Sequence, residues 1–350
     1  MARHSVSSVE RPPASVGVVV IGAGFIAEHH LTAVRSSSRA HVVGVVDVDA
    51  GRAEALARSA GDVAWTSDLT EALSWPGVDA CIVCTPNHTH EAIGVAVASA
   101  GKHLLIEKPL ATTVAAAENV VAAFTAAGTT VMAAHTHRFY DYARGVAEAV
   151  RDGAVGRPML ARISLLGGWI WPDWRAWMLD PEKSGGHALH NGVHLLDLVC
   201  WWIGDEPTRV HARGRAQTAA ELEIFDYLEM TVDFAGGASA ICEMSRAHRP
   251  VSIDRRDVLI VGTGGVLALP WEQWGATLVR ESGTTTLQPQ AGNGFAVQFD
   301  GFLDAVAGSE AAMTAADGVR AVALGVAAEE SIRAGRPVDL RRPAMTGEPA

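Results

Sequence analysis

The chain has 350 residues, enough for two domains of ordinary size. Hydrophobic residues make up 49% and charged residues 19%, a mix that builds a real core and excludes an extended disordered chain. A formal net charge of −11 argues against nucleic acid as a partner, because a basic face would be expected there.

Residues 1–15 are polar and carry Pro12-Pro13, without the apolar stretch of a signal peptide, and read as a disordered leader. Next, 16–21 is a β-branched run of strand length that ends in glycines, and a helical segment follows over 25–36. Strands are then expected at 42–46, 78–84, 103–106 and 130–134, with helices at 52–59, 91–100 and 114–127 between them. Such alternation implies a parallel, doubly wound sheet with right-handed crossovers, a Rossmann-type α/β domain over 16–136. The longest apolar run, around 92–100, is far short of a membrane span, so no membrane partner is expected.

The pattern changes after about residue 137. A helix over 138–151 is followed by short strand-like runs at 159–166, 209–215, 227–234, 239–245 and 257–262, an α+β domain over 137–340 with a large, mainly antiparallel sheet. A helix over 315–334 closes it, stopped by Gly335-Arg336-Pro337, and 341–350 is a tail. The four cysteines are Cys81, Cys84, Cys200 and Cys242. Cys81 and Cys84 lie three apart on an apparent buried strand and so point to opposite faces, which suits free thiols of a cytoplasmic protein better than a redox or metal pair.

Four motifs carry chemistry. In Gly22-Ala23-Gly24-Phe25-Ile26-Ala27, Gly22 allows a tight turn and Gly24 lets backbone approach a pyrophosphate. Phe25 and Ile26 open a helix whose N–H groups and dipole favour anions. Asp47, at the tip of the next strand, can accept from both ribose hydroxyls of NAD and would repel a 2′-phosphate; Arg52 nearby keeps NADP as the alternative. The second motif is Thr85-Pro86-Asn87-His88-Thr89-His90, directly after a strand, where Thr85, Pro86, Asn87 and His90 are expected to line the cofactor. Asn87 or Thr89 could equally cap the following helix. In the third, Glu107-Lys108-Pro109, Glu107 and Lys108 are expected to line the cofactor, and a lysine at a strand's carboxyl end can position a hydroxyl beside the nicotinamide; a surface salt bridge with Glu107 is the alternative.

The fourth motif is Gly185-Gly186-His187-Ala188-Leu189-His190-Asn191-Gly192-Val193-His194. His190 and His194 are four apart and would share one face of a helix. Histidine titrates near neutrality, which suits a base that takes an alcohol proton. The spacing also occurs in metal sites and among packed core histidines. No glutamate follows as in a zinc hydrolase motif and no cysteine is near, so no metal is assigned. Trp169, Trp171, Trp174 and Trp177 crowd the preceding segment with Arg175; Trp174 and Arg175 are assigned to substrate, with an interface seal as the other reading of the indoles.

In this order, the motifs resemble the glucose–fructose oxidoreductase / inositol dehydrogenase / MocA family over residues 16–340. An entry into the second domain like His137-x-Phe139 and the closing Glu330-Ser331 and Gly335 add to the resemblance. It implies an NAD(P)-dependent oxidoreductase that reversibly oxidises a secondary alcohol of a sugar, inositol or sugar-like glycoside. It also implies a homodimer or homotetramer formed through the C-terminal sheet. By position, Lys108 and His194 correspond to the catalytic lysine and histidine and Asp197 to a further acidic position, while Arg138, His190, Asn191 and His194 fall among substrate contacts. One departure stands out: the family usually carries aspartate where this chain has His190. An aspartate would support a charged His194, and a histidine cannot do so when protonated. His190 is then itself a neutral base, or the substrate is anionic, or hydride chemistry has weakened. A redox-inactive NAD-binding sensor and a redox-neutral, NAD-retaining glycosidase or eliminase therefore stay open beside the dehydrogenase.

Overall fold

The computed structural model describes residues 15–167, 177–216, 225–246, 254–269, 276–287 and 293–340. It divides into two compact units, residues 1–139 with 293–319, and residues 140–292 with 320–350.

The first unit begins with β1 (Val16–Ile21), α1 (Phe25–Ser36), β2 (Ala40–Val46), α2 (Ala50–Ser59), β3 (Ala64–Thr66) and α3 (Leu69–Leu73). It continues with β4 (Ala80–Val83), α4 (His90–Ser99), β5 (His103–Glu107), α5 (Val114–Ala127) and β6 (Val131–Ala134). The strands form one parallel sheet in the order β3-β2-β1-β4-β5-β6, so the chain reverses direction across the sheet between β1 and β4. Strands covered on both faces have no solvent side, and β1 and β4 are accordingly continuous apolar runs. Helix starts are set by short polar caps: Asp49 accepts from the N–H groups of Gly51 and Arg52, Asp68 from Thr70 and Glu71, and Thr113 from Ala116.

The second unit comprises α6 (Asp141–Arg151), β7 (Pro158–Gly167), α7 (Pro181–Ser184), α8 (Val193–Ile203), β8 (Pro207–Arg215), β9 (Tyr227–Phe234) and β10 (Ser239–Ser245). β11 (Asp254–Gly262), β12 (Gly265–Leu269), β13 (Ala276–Arg280) and β14 (Gly283–Leu287) follow. After α9 (Gly294–Val306), which belongs to the first unit, come α10 (Ala315–Ala334) and the short β15 (Val338–Asp339). A nine-stranded sheet runs β14-β13-β12-β11-β7-β10-β9-β8-β15. Only the β7–β10 pair is parallel; the other pairs are antiparallel. One face of this sheet carries Ala161, Ile163, Leu165, Cys242 and Met244 into a core shared with Leu195, Leu198, Val199 and Trp202 of α8. The Trp202 Nε1–H donates to the Ala143 carbonyl at 3.0 Å, fastening α8 to α6.

Three expectations are corrected. The helix expected over 138–151 is broken at Tyr140, whose extended backbone separates a 3₁₀ turn at Thr136–Phe139 from α6. The division falls at 139/140 rather than 136/137, and residues 293–319, expected in the second domain, belong to the first unit. The physical reason is α9: Gln298 accepts from Thr136 Oγ1 at 3.2 Å, and the Phe295 ring meets His29 and His30 of α1. Strands β3, β12, β13, β14 and β15 and helices α3, α7 and α9 were not expected from the sequence. The leader, Trp169, Trp171, Trp174, Arg175 and the tail after 340 lie outside the described residues, save Ser15.

Candidate active site

In a parallel sheet every strand ends on the same edge, so the loops after β1, β2, β4 and β5 line up beside the reversal between β1 and β4. Gly22 leaves β1 with φ +94°, and a Cβ there would stand 2.8 Å from the Cys84 carbonyl, so only glycine passes. Two residues on, a Cβ on Gly24 would meet nothing within 4 Å, and Gly24 starts α1 without any side-chain cap. The start of a twelve-residue helix thus has open space beside Gly24 and no side-chain cap on its first N–H groups. Phe25 is 76% exposed and Ile26 half-buried at the same place.

Asp47, just past β2, accepts the Ala23 N–H at 2.7 Å on Oδ2 and the Asp49 N–H at 2.8 Å on Oδ1. It therefore ties the glycine loop to the β2 end, and each oxygen keeps a lone pair for a ligand hydroxyl. Arg52, which kept NADP open, is turned to Asp49, its Nε 3.3 Å from Oδ2. The Asp49 carboxyl is held below its usual range, chiefly by the Arg52 backbone N–H.

After β4, Thr85 and Pro86 are half-buried and Asn87 is buried in a 3₁₀ turn. The Thr89 hydroxyl lies 2.7 Å from Thr85 Oγ1 and from the Pro86 carbonyl, closing the loop on itself. His90 corrects an expectation. Its ring is fully buried, with Nδ1 2.8 Å from the Pro109 carbonyl and Nε2 3.0 Å from the Thr85 carbonyl. Each nitrogen faces a backbone carbonyl, and the neutral ring donates its one N–H to either of them, so the buried His90 braces the β4 and β5 loops against each other. Burial pushes its pKa down, against the pull of the two carbonyls and Glu107.

Glu107 is a second correction. It is buried, with Oε1 2.7 Å from His30 Nε2 of α1, and its Oε2 accepts the Lys108 N–H at 3.2 Å. Burial works against its charge, but the His30 hydrogen bond and the neighbouring His30, Lys108 and His90 outweigh it and hold the carboxyl below the usual range. Glu107 thus anchors the turn that carries Lys108, whose side chain is half-buried at the end of β5; the Lys108–Pro109 peptide is cis. Arg138 is the third correction. It is 3% exposed and bonds Asp317 Oδ2 at 3.1 Å and the Ala312 carbonyl at 3.3 Å, all within the first unit, so its guanidinium holds structure rather than substrate.

The histidine segment lies in the second unit. α7 ends at Gly185 with φ +84°, Gly186 follows at φ +94°, and residues Ala188–Gly192 form a π turn that leads into α8. His190, Asn191, His194 and Asp197 are all buried on this stretch. His190 lies in the π turn and His194 in the first turn of α8, four residues on. Trp177 meets the His190 ring edge-on at 5.2 Å, and Asn191 Nδ2 lies 3.4 Å from His187 Nδ1. Among the described residues no three or more His, Cys, Asp or Glu side chains are grouped as a metal site requires. His30, Thr89 and Glu329 were missed as supports of these loops. His30 does sit on the inward face of an amphipathic helix, which is the signal the sequence offered.

An open glycine loop at a helix start, an acidic residue at the next strand tip and a lysine two strands across define a dinucleotide-binding oxidoreductase. Residues 16–135 match the oxidoreductase family with an NAD-binding Rossmann fold, and residues 143–268 match the GFO/IDH/MocA C-terminal domain. The inositol 2-dehydrogenase 1 of Saccharopolyspora erythraea is 32% identical over 349 residues, 95% of this chain and 99% of that protein. The inositol 2-dehydrogenase of Acidothermus cellulolyticus is 31% identical over 330 residues, 91% of this chain and 93% of that one. Among solved structures, GenD2 from gentamicin A biosynthesis in complex with NAD superposes with a TM-score of 0.83 at 27% identity, covering 98% of this chain and 100% of its own. The chain belongs to the Gfo/Idh/MocA oxidoreductase family and is an NAD(P)-dependent dehydrogenase acting on CH–OH groups, with NAD as its cofactor.

Proposed function

We propose that the enzyme reversibly oxidises a secondary alcohol on a sugar, inositol or sugar-like glycoside. The carrying observation is the Lys108 turn: a half-buried lysine whose backbone N–H is pinned by a buried carboxylate, on the strand edge that holds the open glycine loop. Inositol dehydrogenases alike over nearly their whole length support the substrate class. Gly22, Gly24, Phe25, Ile26, Asp47, Thr85, Pro86 and Asn87 hold NAD, which when bound supplies the hydride acceptor. The Lys108 ammonium orients the substrate hydroxyl and lowers its pKa. His194 takes the hydroxyl proton as hydride leaves the carbinol carbon, and returns it in the reverse direction. His190 and Asn191 contact substrate, and a neutral imidazole at 190 can donate to or accept from a sugar oxygen.

The test is a panel of myo-inositol, scyllo-inositol, glucose and a glucoside with purified protein and NAD, followed by the absorbance of reduced nicotinamide. Turnover is expected with at least one polyol, and Lys108→Ala should abolish it while NAD affinity stays close to wild type. Full activity in that variant removes Lys108 from the mechanism. Bound NAD that none of the panel reduces would favour the sensor reading instead.

The outward face of the nine-stranded sheet, with Ile241 and Val279 exposed opposite the core, is the proposed self-association surface. Sedimentation of wild type against Ile241→Asp checks it: a shift to monomer is expected, and an unchanged mass would refute it. The four cysteines are buried free thiols, as a reducing cytoplasm maintains them.

A further inference from the structure

We infer that Glu329 is a positioning residue for the catalytic histidines, holding the segment that carries His190 and His194 from the facing helix. The inference rests on the role proposed above for His194.

Everything it needs lies in the second unit. Glu329 Oε1 accepts the Ala188 N–H at 2.6 Å, the second peptide after Gly186, at the start of the π turn. An N–H at a helix start has no partner within its own helix and must find one elsewhere. His187 and Gly192, where the π turn and α8 begin, supply no capping side chain. A carboxylate from another helix does that work here, and a negative charge suits a helix start.

The glycines show how closely the two pieces fit. A Cβ on Gly186 would come within 2.3 Å of the Glu329 carboxyl carbon, so the chain passes directly over that carboxylate with φ +94°. One turn earlier on α10, a Cβ on Gly325 would come within 2.9 Å of the Leu189 Cα and 2.6 Å of its Cδ1. Gly325 and Glu329 are four apart and share a face of α10. One leaves room for the Leu189 backbone and the other binds the Ala188 N–H. The register of residues 186–190 is therefore set by α10, some 140 residues later in the chain. Leu189 is fully buried between its neighbours, which blocks small slides of the segment.

Catalytic geometry is sensitive to such support, since a displacement of about 1 Å can cost on the order of 100-fold in rate. The variants are Glu329→Ala, Glu329→Gln and His194→Ala in the full chain. The readouts are kcat, KM and pH profile with whichever panel polyol is oxidised, Kd for NAD, thermal unfolding, and the ring signals of ¹⁵N-histidine-labelled protein.

In Glu329→Ala, kcat should fall by about 10- to 100-fold with Kd for NAD unchanged, and the ring signals of His190 and His194 should shift. Glu329→Gln should restore both, because its carbonyl oxygen can still accept the Ala188 N–H. A wild-type kcat and pH profile in Glu329→Ala, while His194→Ala is inactive, overturns the inference; so does a Gln variant as impaired as the Ala one. Should Glu329→Ala fail to unfold cooperatively, Glu329→Asp carries the comparison, since its shorter side chain withdraws from Ala188; a wild-type kcat there is equally fatal. Full activity in His194→Ala would instead overturn the assigned role of His194, and the ring signals would still report whether Glu329 holds the segment.

Discussion

A single carboxylate illustrates how residues here serve position before chemistry. Glu107 is buried against His30, and removing one partner of such a pair strands the other in a medium that will not solvate it. His30→Ala should therefore destabilise the protein by about 3–5 kcal/mol in denaturant unfolding, a large part of a typical folding free energy of about 5–15 kcal/mol. A loss under about 1 kcal/mol would show that Glu107 finds another partner or takes up a proton. At the glycine loop, Gly22→Ala combines a positive φ with a contact of 2.8 Å to the Cys84 carbonyl. It should cost about 1–3 kcal/mol and raise Kd for NAD. Asp47→Ala should weaken NAD binding and shift the NAD/NADP preference toward NADP, measured as the ratio of kcat/KM for the two cofactors. An unchanged ratio would take Asp47 out of cofactor choice.

At the scale of elements, β4 and the histidine helix make opposite points. Apolar side chains, with Cys81 and Cys84 among them, fill β4 and its end; burial lifts the Cys81 thiol to about 12 and the Cys84 thiol well above its ordinary value. A thiolate is the reactive form, so iodoacetamide at pH 8 should label none of the four cysteines until denaturant is added, as mass spectrometry can check. Prompt labelling of Cys81 would mean that β4 opens locally. α8, by contrast, is apolar almost all round and reads from sequence as a buried helix. The π turn in front of it has no comparable signature, because a π turn arises where packing forces one residue too many into a turn. Here Leu189 is wedged against Gly325 and Gly185, and Glu329 draws the Ala188 N–H outward.

Across the whole molecule, titration should make stability fall on the acid side. His103 has its pKa lowered by burial, and its Nδ1 accepts the Thr130 N–H, which only an unprotonated nitrogen can do. His90 is lowered by burial too. With the folded pKa below the unfolded one, their stabilisation is complete above about pH 6.5 and is lost as pH falls below it. Glu107 and Glu243 are likewise depressed, burial opposing their charge but hydrogen bonds and basic neighbours prevailing, so they add a second loss below about pH 4.5. Glu329 runs the other way: burial raises its carboxyl, and protonation relieves a cost. The melting temperature should thus decline in two stages on acidification, and His103→Gln should flatten the first. A single stage below pH 4.5 would refute the histidine contribution.

How much of this was legible beforehand follows from the range of the interactions involved. Periodicity and turn residues are local, so α1, α5, β9 and β10 match their expected bounds to the residue, and Gly22, Asp47 and Lys108 could each be placed at a strand's carboxyl end. Short strands such as β3 and β15 were missed, because two or three residues carry too little pattern and form only where a neighbouring strand offers partners. α9 was missed although Asn293 caps it and Phe295, Phe299 and Phe302 keep helical spacing. The sequence by itself therefore determined the parallel sheet, the glycine loop and the residue types of the site, since each depends on neighbours a few positions away. Only the tertiary structure decided that His90, Glu107 and Arg138 are supports rather than ligands, and that Glu329 caps the histidine segment. Those roles depend on which carbonyl, imidazole or peptide N–H from a distant part of the chain arrives within 3.5 Å, and no local pattern encodes that.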